Sequence, residues 1–164
     1  MAILVFSSDT LDQGRIKINS FYTITLGTWT AGTGSNSLMV NNNTGNIASS
    51  AFCMTAGKSG QTTSAYAVVL GGFYNRATNN RATVINGGNN IAKGNSSTIV
   101  NGSGNTVETL GLRSVIVNGK SNYVNFSYGF IGNGSYNRIQ TGSRSTIVNG
   151  LRNRSYANYS FVGS

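Results

Sequence analysis

Few side chains in this sequence can move a proton, attack a carbonyl or hold a metal. The acids are Asp9, Asp12 and Glu108, the one thiol is Cys53, and histidine is absent from all 164 residues. Without an imidazole neither a Ser-His-Asp nor a Cys-His nucleophile can be assembled, and zinc chemistry loses its commonest ligand. Glycoside hydrolysis normally needs two carboxylates flanking one bond. Asp9 and Asp12 share a terminal segment and Glu108 stands far along the chain, so such a pair would have to be shared between protomers. Ala56-Gly57-Lys58-Ser59 mimics the end of a phosphate loop, but the full Gly-x-x-x-x-Gly-Lys-Ser/Thr pattern does not occur. No enzymatic activity, no metal site and no cofactor are expected. Cys53, with no second cysteine to pair with, is expected to be a buried small hydrophobe.

The remaining chemistry is basic. Twelve Lys and Arg against three acids give a net charge of +9, which favours anionic partners. Ten of these cations, from Lys58 to Arg154, are spread through the chain, mostly where turns are expected, with Tyr74, Tyr123, Tyr136 and Tyr156 beside several of them. Arg76, Arg138, Arg152 and Arg154 are the candidate contacts for an anionic glycan, through weak contacts that multivalency would strengthen. The competing reading is that the charges only keep a Gly- and Asn-rich surface soluble. No compact basic run or recognition motif is present, so nucleic acid is not an expected partner.

The elements that position these residues follow from a repeat. The chain has 38% hydrophobic and only 9% charged residues, with 22 Gly and no Pro. Its Tyr, Phe, Val and Ile content points to folded β structure. Ile99-Val100-Asn101-Gly102 recurs as Ile116-Val117-Asn118-Gly119 and Ile147-Val148-Asn149-Gly150. With the first residue of that phrase as position one, units begin at Ile24, Met39, Met54, Val69, Val84, Ile99, Ile116, Ile131, Ile147 and Phe161. The interval is 15 residues, except 17 after Ile99, 16 after Ile131 and 14 after Phe161's predecessor Ile147.

Position four is Gly in most units and marks a turn. Position seven reads Thr30, Gly45, Gly60, then Asn75, Asn90, Asn105, Asn122, Asn137 and Asn153, a polar column able to bond along a stack. Position nine, from Ile47 and Thr62 to Ile139 and Ser155, opens a second short strand. Two short strands and two turns per 15 residues fit one coil of an all-β parallel solenoid, a β-roll of nine coils roughly 40 Å long at about 4.8 Å per coil.

Position one is apolar throughout and should face inward, which turns positions two and fifteen outward. Position two nevertheless reads Val40, Leu70, Ile85, Val100, Val117, Val148 and Val162, with Thr25, Thr55 and Gly132 as exceptions. Position fifteen adds Leu38, Cys53, Val68, Val115 and Phe130. An apolar stripe of this length marks an interface, and Val40, Leu70, Ile85, Val100, Val117 and Val148 are its expected residues. Parallel association as a homotrimer lets one stripe meet its copies without open-ended growth. The alternative is a triangular monomer whose faces all point inward.

Val69-Leu70-Gly71-Gly72-Phe73-Tyr74-Asn75-Arg76-Ala77 and Val84-Ile85-Asn86-Gly87-Gly88-Asn89-Asn90-Ile91-Ala92 resemble the Gly-Gly-x-x-Asn-x-Ala repeats of the heads of trimeric autotransporter adhesins, and similar repeats occur in bacteriophage fibres. The resemblance covers residues 24–164 and implies a left-handed parallel β-roll, trimeric, in a structural virion protein that attaches to host surfaces. Several units depart from it by replacing the Ala with Val or Ile, and the 17-residue unit from Ile99 must bulge outward.

Residues 1–23 do not fit the repeat and look like the short N-terminal segment of phage head or tail fibres. Asp9, Leu11, Gly14, Arg15, Lys17 and Asn19 are then the expected anchor to a capsid or tail protein. The same segment also suits a cap of two short strands over the open end of the solenoid, and the two roles are compatible. The apolar start lacks a basic region and a cleavage site, so no signal peptide is expected, and no apolar run approaches the roughly 20 residues of a membrane span. A virion location is expected, with an extracellular location as the alternative. The competing functions are a secreted bacterial adhesin and an ice-binding solenoid, the latter weakened because Thr83 and Thr98 are separated from Thr146 by Val115 and Phe130. The last unit begins at Phe161 and needs a cap from the oligomer, another chain or further sequence.

Overall fold

The structure, a computed structural model, describes residues 28–41 and 45–163. Every regular element in them is a β-strand. β1 (Thr28–Ala31) pairs antiparallel with β2 (Leu38–Asn41), and from β2 onward every pairing is parallel. The strands after β2 are two residues long, which is all a coil of about 15 residues can devote to each face once its corners are made.

They stack into two sheets. The first runs from β1 and β2 through Met54–Thr55, Val68–Val69, Thr83–Val84, Thr98–Ile99, Val115–Ile116, Phe130–Ile131 and Thr146–Ile147 to Phe161–Val162. The second has eight strands, from Ile47–Ala48 to Arg154–Ser155. A third ladder of single bridges links Lys58, Phe73, Gly88, Ser103, Lys120, Ser135 and Leu151. The β-solenoid expected from the repeat is therefore present, with about eight coils between β2 and Val162.

In each two-residue strand the second residue points inward. The first sheet contributes Val69, Val84, Ile99, Ile116, Ile131 and Ile147, and the second Ala77, Ala92, Val107, Val124 and Ile139, all fully buried. Small residues (Ala67, Ala82, Ser97, Ser114 and Ser145) fill the layer before the first sheet. Each coil buries two to three small or medium side chains, so the core is a thin column, and length rather than width supplies the buried apolar area.

The turn after the first sheet requires glycine. Gly119 has φ +102°, and a Cβ on it would run into the carbonyl oxygen of Gly134 in the next coil. The coils approach at that corner more closely than any side chain allows.

Strict counting by 15 misplaces the first and last units. Met54 pairs with Val68, and the inward residue is Thr55, paired with Met39 and Val69. Successive inward residues there are 16 and then 14 positions apart, so two departures from the mean cancel. Thr55 is tolerated inside because its hydroxyl hydrogen-bonds to that of Thr62 and to the carbonyl of Ile47 at 2.9 Å. On the second sheet Ala48, and not Ile47, faces inward. Asn46, and not Gly45, enters the asparagine column, with its Oδ1 accepting from the Gly60 N–H at 2.9 Å. Cys53 sits in the buried small-residue layer, not on the outer stripe. At the far end Val162 takes the inward position and Phe161 the outer one, so Val162 leaves the stripe as well.

The unit expected from Ile24 is not a parallel coil where it is described, since Thr28–Ala31 runs antiparallel. The long unit bulges as expected: its two extra residues fall within 108–112, leaving Leu110 and Leu112 exposed, and register is regained at Thr98–Val115. The segment 1–23 and its anchor residues Asp9, Leu11, Gly14, Arg15, Lys17 and Asn19 lie outside the described residues.

Candidate functional site

The outer surfaces of the two sheets differ in chemistry. Outside the first sheet lie two columns. One contains Leu38, Met54, Val68, Thr83, Thr98, Val115, Phe130, Thr146 and Phe161, and the other Val40, Ala56, Leu70, Ile85, Val100, Val117, Gly132 and Val148. Leu70, Ile85, Val117 and Val148 are 36–45% exposed and Phe161 71%. The six residues expected at the interface lie together in the second of these columns. No Lys, Arg, Asp or Glu interrupts either column. The threonines form no continuous row, because Thr83 and Thr98 adjoin but Val115 and Phe130 separate them from Thr146.

The second sheet's outer face is mixed, with Gln61, Arg76, Thr106, Tyr123, Arg138 and Arg154 in one column with Ile47 and Ile91. Its register places Arg76 beside Ile91, and Tyr123, Arg138 and Arg154 in successive coils. Arg138 lies 6.0 Å from the Tyr123 ring centroid, and Arg154 Nη1 donates to the Tyr156 hydroxyl at 3.5 Å. The structure thus brings Arg138 and Arg154 together, with Arg76 four coils earlier on the same column and Arg152 on the adjoining corner. Burial and the nearby Glu108 carboxylate push the Tyr123 hydroxyl above its ordinary value.

Glu108 is the one acid among the described residues, and its carboxylate takes both oxygens to within 3.1 Å of Lys93 Nζ in the preceding coil. No group of three His, Cys, Asp or Glu gathers among the described residues. No helix there is long and apolar enough to cross a membrane.

A third surface was not singled out from the sequence. At the corner entering the first sheet, one residue per coil adopts a left-handed conformation with φ between +53° and +59°: Phe52, Tyr66, Arg81, Ser96, Arg113, Tyr128, Arg144 and Tyr159. Phe52 and Tyr66 stack at 5.3 Å. Arg81 lies 5.5 Å from the Tyr66 centroid, Arg113 and Arg144 lie 5.7 and 5.2 Å from that of Tyr128, and Arg144 lies 5.5 Å from that of Tyr159. The signal in the sequence was a column of aromatic and basic residues, broken by Ser96, three positions before each inward residue of the first sheet.

No protein-family model and no curated protein matches the chain.

Proposed function

We propose that the chain is a non-enzymatic structural rod that associates in parallel with identical copies through the outer face of its first sheet, as a homotrimer, and serves as a fibre or spike of a virion. The observation that carries this reading is the uncharged, largely apolar face running the length of the rod, in contrast to the second sheet, whose outer face carries charged side chains. A single chain leaves that face in water, and a rotation axis parallel to the rod covers it in every copy at once. Parallel stacking supports rigidity, because the strands and corners of one coil are hydrogen-bonded through their backbones to the next. The resemblance of the repeats to phage fibres supports the virion setting, with residues 1–23 as the anchor to a capsid or tail protein. In such a rod the Arg and Tyr side chains of the second sheet and the corners point away from the axis, where they can meet a host surface.

Light scattering of the purified chain over a range of concentrations tests the assembly. The expected result is a constant mass about three times 17.2 kDa. A constant mass near 17.2 kDa would refute it.

A further inference from the structure

We infer that the left-handed corner ridge of alternating Arg and Tyr is a binding site for an acidic polysaccharide laid along the rod. The inference deepens the display reading and rests on it for its setting, but the ridge belongs to one chain and can be tested whatever the mass in solution.

Conformation provides the first observation. A non-glycine residue in the left-handed region costs about 1 kcal/mol or more, and Gly or Asn would relieve it. The turn on the other side of the first sheet uses Gly from Gly57 to Gly150, whereas this corner holds Tyr66, Arg81, Arg113, Tyr128, Arg144 and Tyr159 in the strained state. The corner entering the second sheet is strained as well, at Ser59, Tyr74, Asn89, Ser121, Tyr136 and Arg152, so what distinguishes the ridge is that its displayed Arg and Tyr side chains meet one another from coil to coil.

The chemistry of the ridge is the second. Arg113 Nη1 donates to the Tyr128 hydroxyl at 2.6 Å, and Arg144 Nη1 to that of Tyr159 at 3.2 Å. Each phenol oxygen is therefore occupied as an acceptor, and its own hydrogen is left to donate. The guanidinium groups carry further N–H donors, and no carboxylate lies on the ridge. A donor-rich surface without a carboxylate suits carboxylate or sulfate groups.

Ring geometry selects among polyanions. Tyr128 is engaged by two guanidinium groups, Arg144 at 5.2 Å from its ring centroid and Arg113 at its hydroxyl, so ring and hydroxyl are both already partnered by arginine. A nucleobase would need an open ring face to stack on. A hydroxylated sugar chain needs only edges and donors. Arg113 and Arg144 stand two coils apart, roughly 10 Å by strand spacing, so a polymer with regularly repeated charges can meet them in turn. Contact with Tyr128 and Tyr159 for Arg144, and the hydrogen bond to Tyr128 for Arg113, hold both guanidinium groups in advance and lower the entropic cost of binding.

The test measures binding of the full chain at about 0.15 M salt to heparin and to polygalacturonate, with dextran and single-stranded poly-dT as comparators. The double variant Arg113→Asn/Arg144→Asn removes two charges from the ridge with a residue that accepts the left-handed conformation, and Arg76→Asn/Arg154→Asn removes two from the second sheet. The ridge variant is expected to weaken binding to at least one acidic polysaccharide about tenfold or more, and the other variant less than about threefold. Tyr128→Phe, which deletes a single hydroxyl, is expected to weaken it about two- to fivefold. Equal losses from the two double variants would overturn the inference, since net charge alone would then explain binding. So would binding to neither acidic polysaccharide, equal affinity for poly-dT, or an unchanged affinity in Tyr128→Phe. Light scattering of the same samples separates this outcome from the failure of assembly.

Discussion

Asn105 Oδ1 accepts the backbone N–H of Asn122 at 2.9 Å, while the N–H of Asn105 is itself held by Asn90 Oδ1 at 3.0 Å. The same bond joins Asn75 to Asn90, Asn122 to Asn137 and Asn137 to Asn153. Each buried amide also ties its own turn to the next: Asn105 Nδ2 donates to the Asn101 carbonyl at 3.2 Å and to the Gly119 carbonyl at 2.9 Å. The column is a continuous polar seam inside the rod, with its donors and acceptors matched coil to coil.

Asn105→Ala leaves the Asn122 N–H and the Asn101 carbonyl without their side-chain partners in a buried site. The expected cost is about 2–4 kcal/mol, seen as a lower urea midpoint. Asn105→Asp should cost more, because a carboxylate oxygen would replace the amide group between two carbonyl oxygens.

Two glycines with positive φ should respond oppositely. Gly119→Ala forces a Cβ against the Gly134 carbonyl and is expected to destabilise by about 3 kcal/mol or more, or to prevent folding. Gly104, at φ +66°, has room for a Cβ, whose nearest neighbour would be Ser121 Oγ at 3.6 Å. Gly104→Asn should stay within about 1 kcal/mol of the parent and raise stability if restriction of the unfolded chain dominates. Paired urea titrations distinguish them.

The raised Tyr123 hydroxyl makes stability depend on alkaline pH. A group whose folded pKa lies above its unfolded value of 10.0 contributes its full stabilisation below pH 10 and loses it as pH rises through the folded value. Tyr123→Phe should therefore lose less stability than the parent on going from pH 9 to above pH 10, as measured by thermal melts at each pH.

The apolar face should be separable from the fold. Val100→Asn/Val117→Asn alters two outward side chains and leaves the inward Ile99 and Ile116 untouched. The far-UV circular dichroism should be retained and the assembled mass lost. Retention of the full mass would contradict the role of these positions.

The repeat was legible because a coil satisfies its backbone only by stacking, so turn and core residues recur in fixed columns from Val69 to Ile147. Counting failed where chemistry compensated. Thr55 and Thr62 are polar yet buried because their hydroxyls bond to each other and to the Ile47 carbonyl, and apolarity pointed instead to Met54 and Ile47. Apolarity points to Phe161 as inward on the same grounds, although Val162 is the residue that fits the narrow core. Thr28–Ala31 carries nothing in its composition that distinguishes a hairpin arm from a coil. The Arg–Tyr corner was hidden because bulky residues are rare in left-handed turns, and expectation attached such turns to Gly and Asn alone. The outer apolar columns were visible from period-two alternation, whereas Arg76, Arg138 and Arg154, expected in turns, lie on strands of the opposite sheet because each is the outward residue of a two-residue strand whose inward partner fills the core.

The central claim, parallel in-register association through the first sheet, is tested most directly by disulfide trapping of Val117→Cys in a Cys53→Ser background. Around a three-fold axis the three thiols at position 117 converge, and one disulfide consumes two of them, so oxidation should drive about two thirds of the chains into covalent dimers and leave one third monomeric. Tyr123→Cys in the same background, on the opposite sheet, should remain monomeric. Efficient trapping at position 123 with none at 117 would contradict the account.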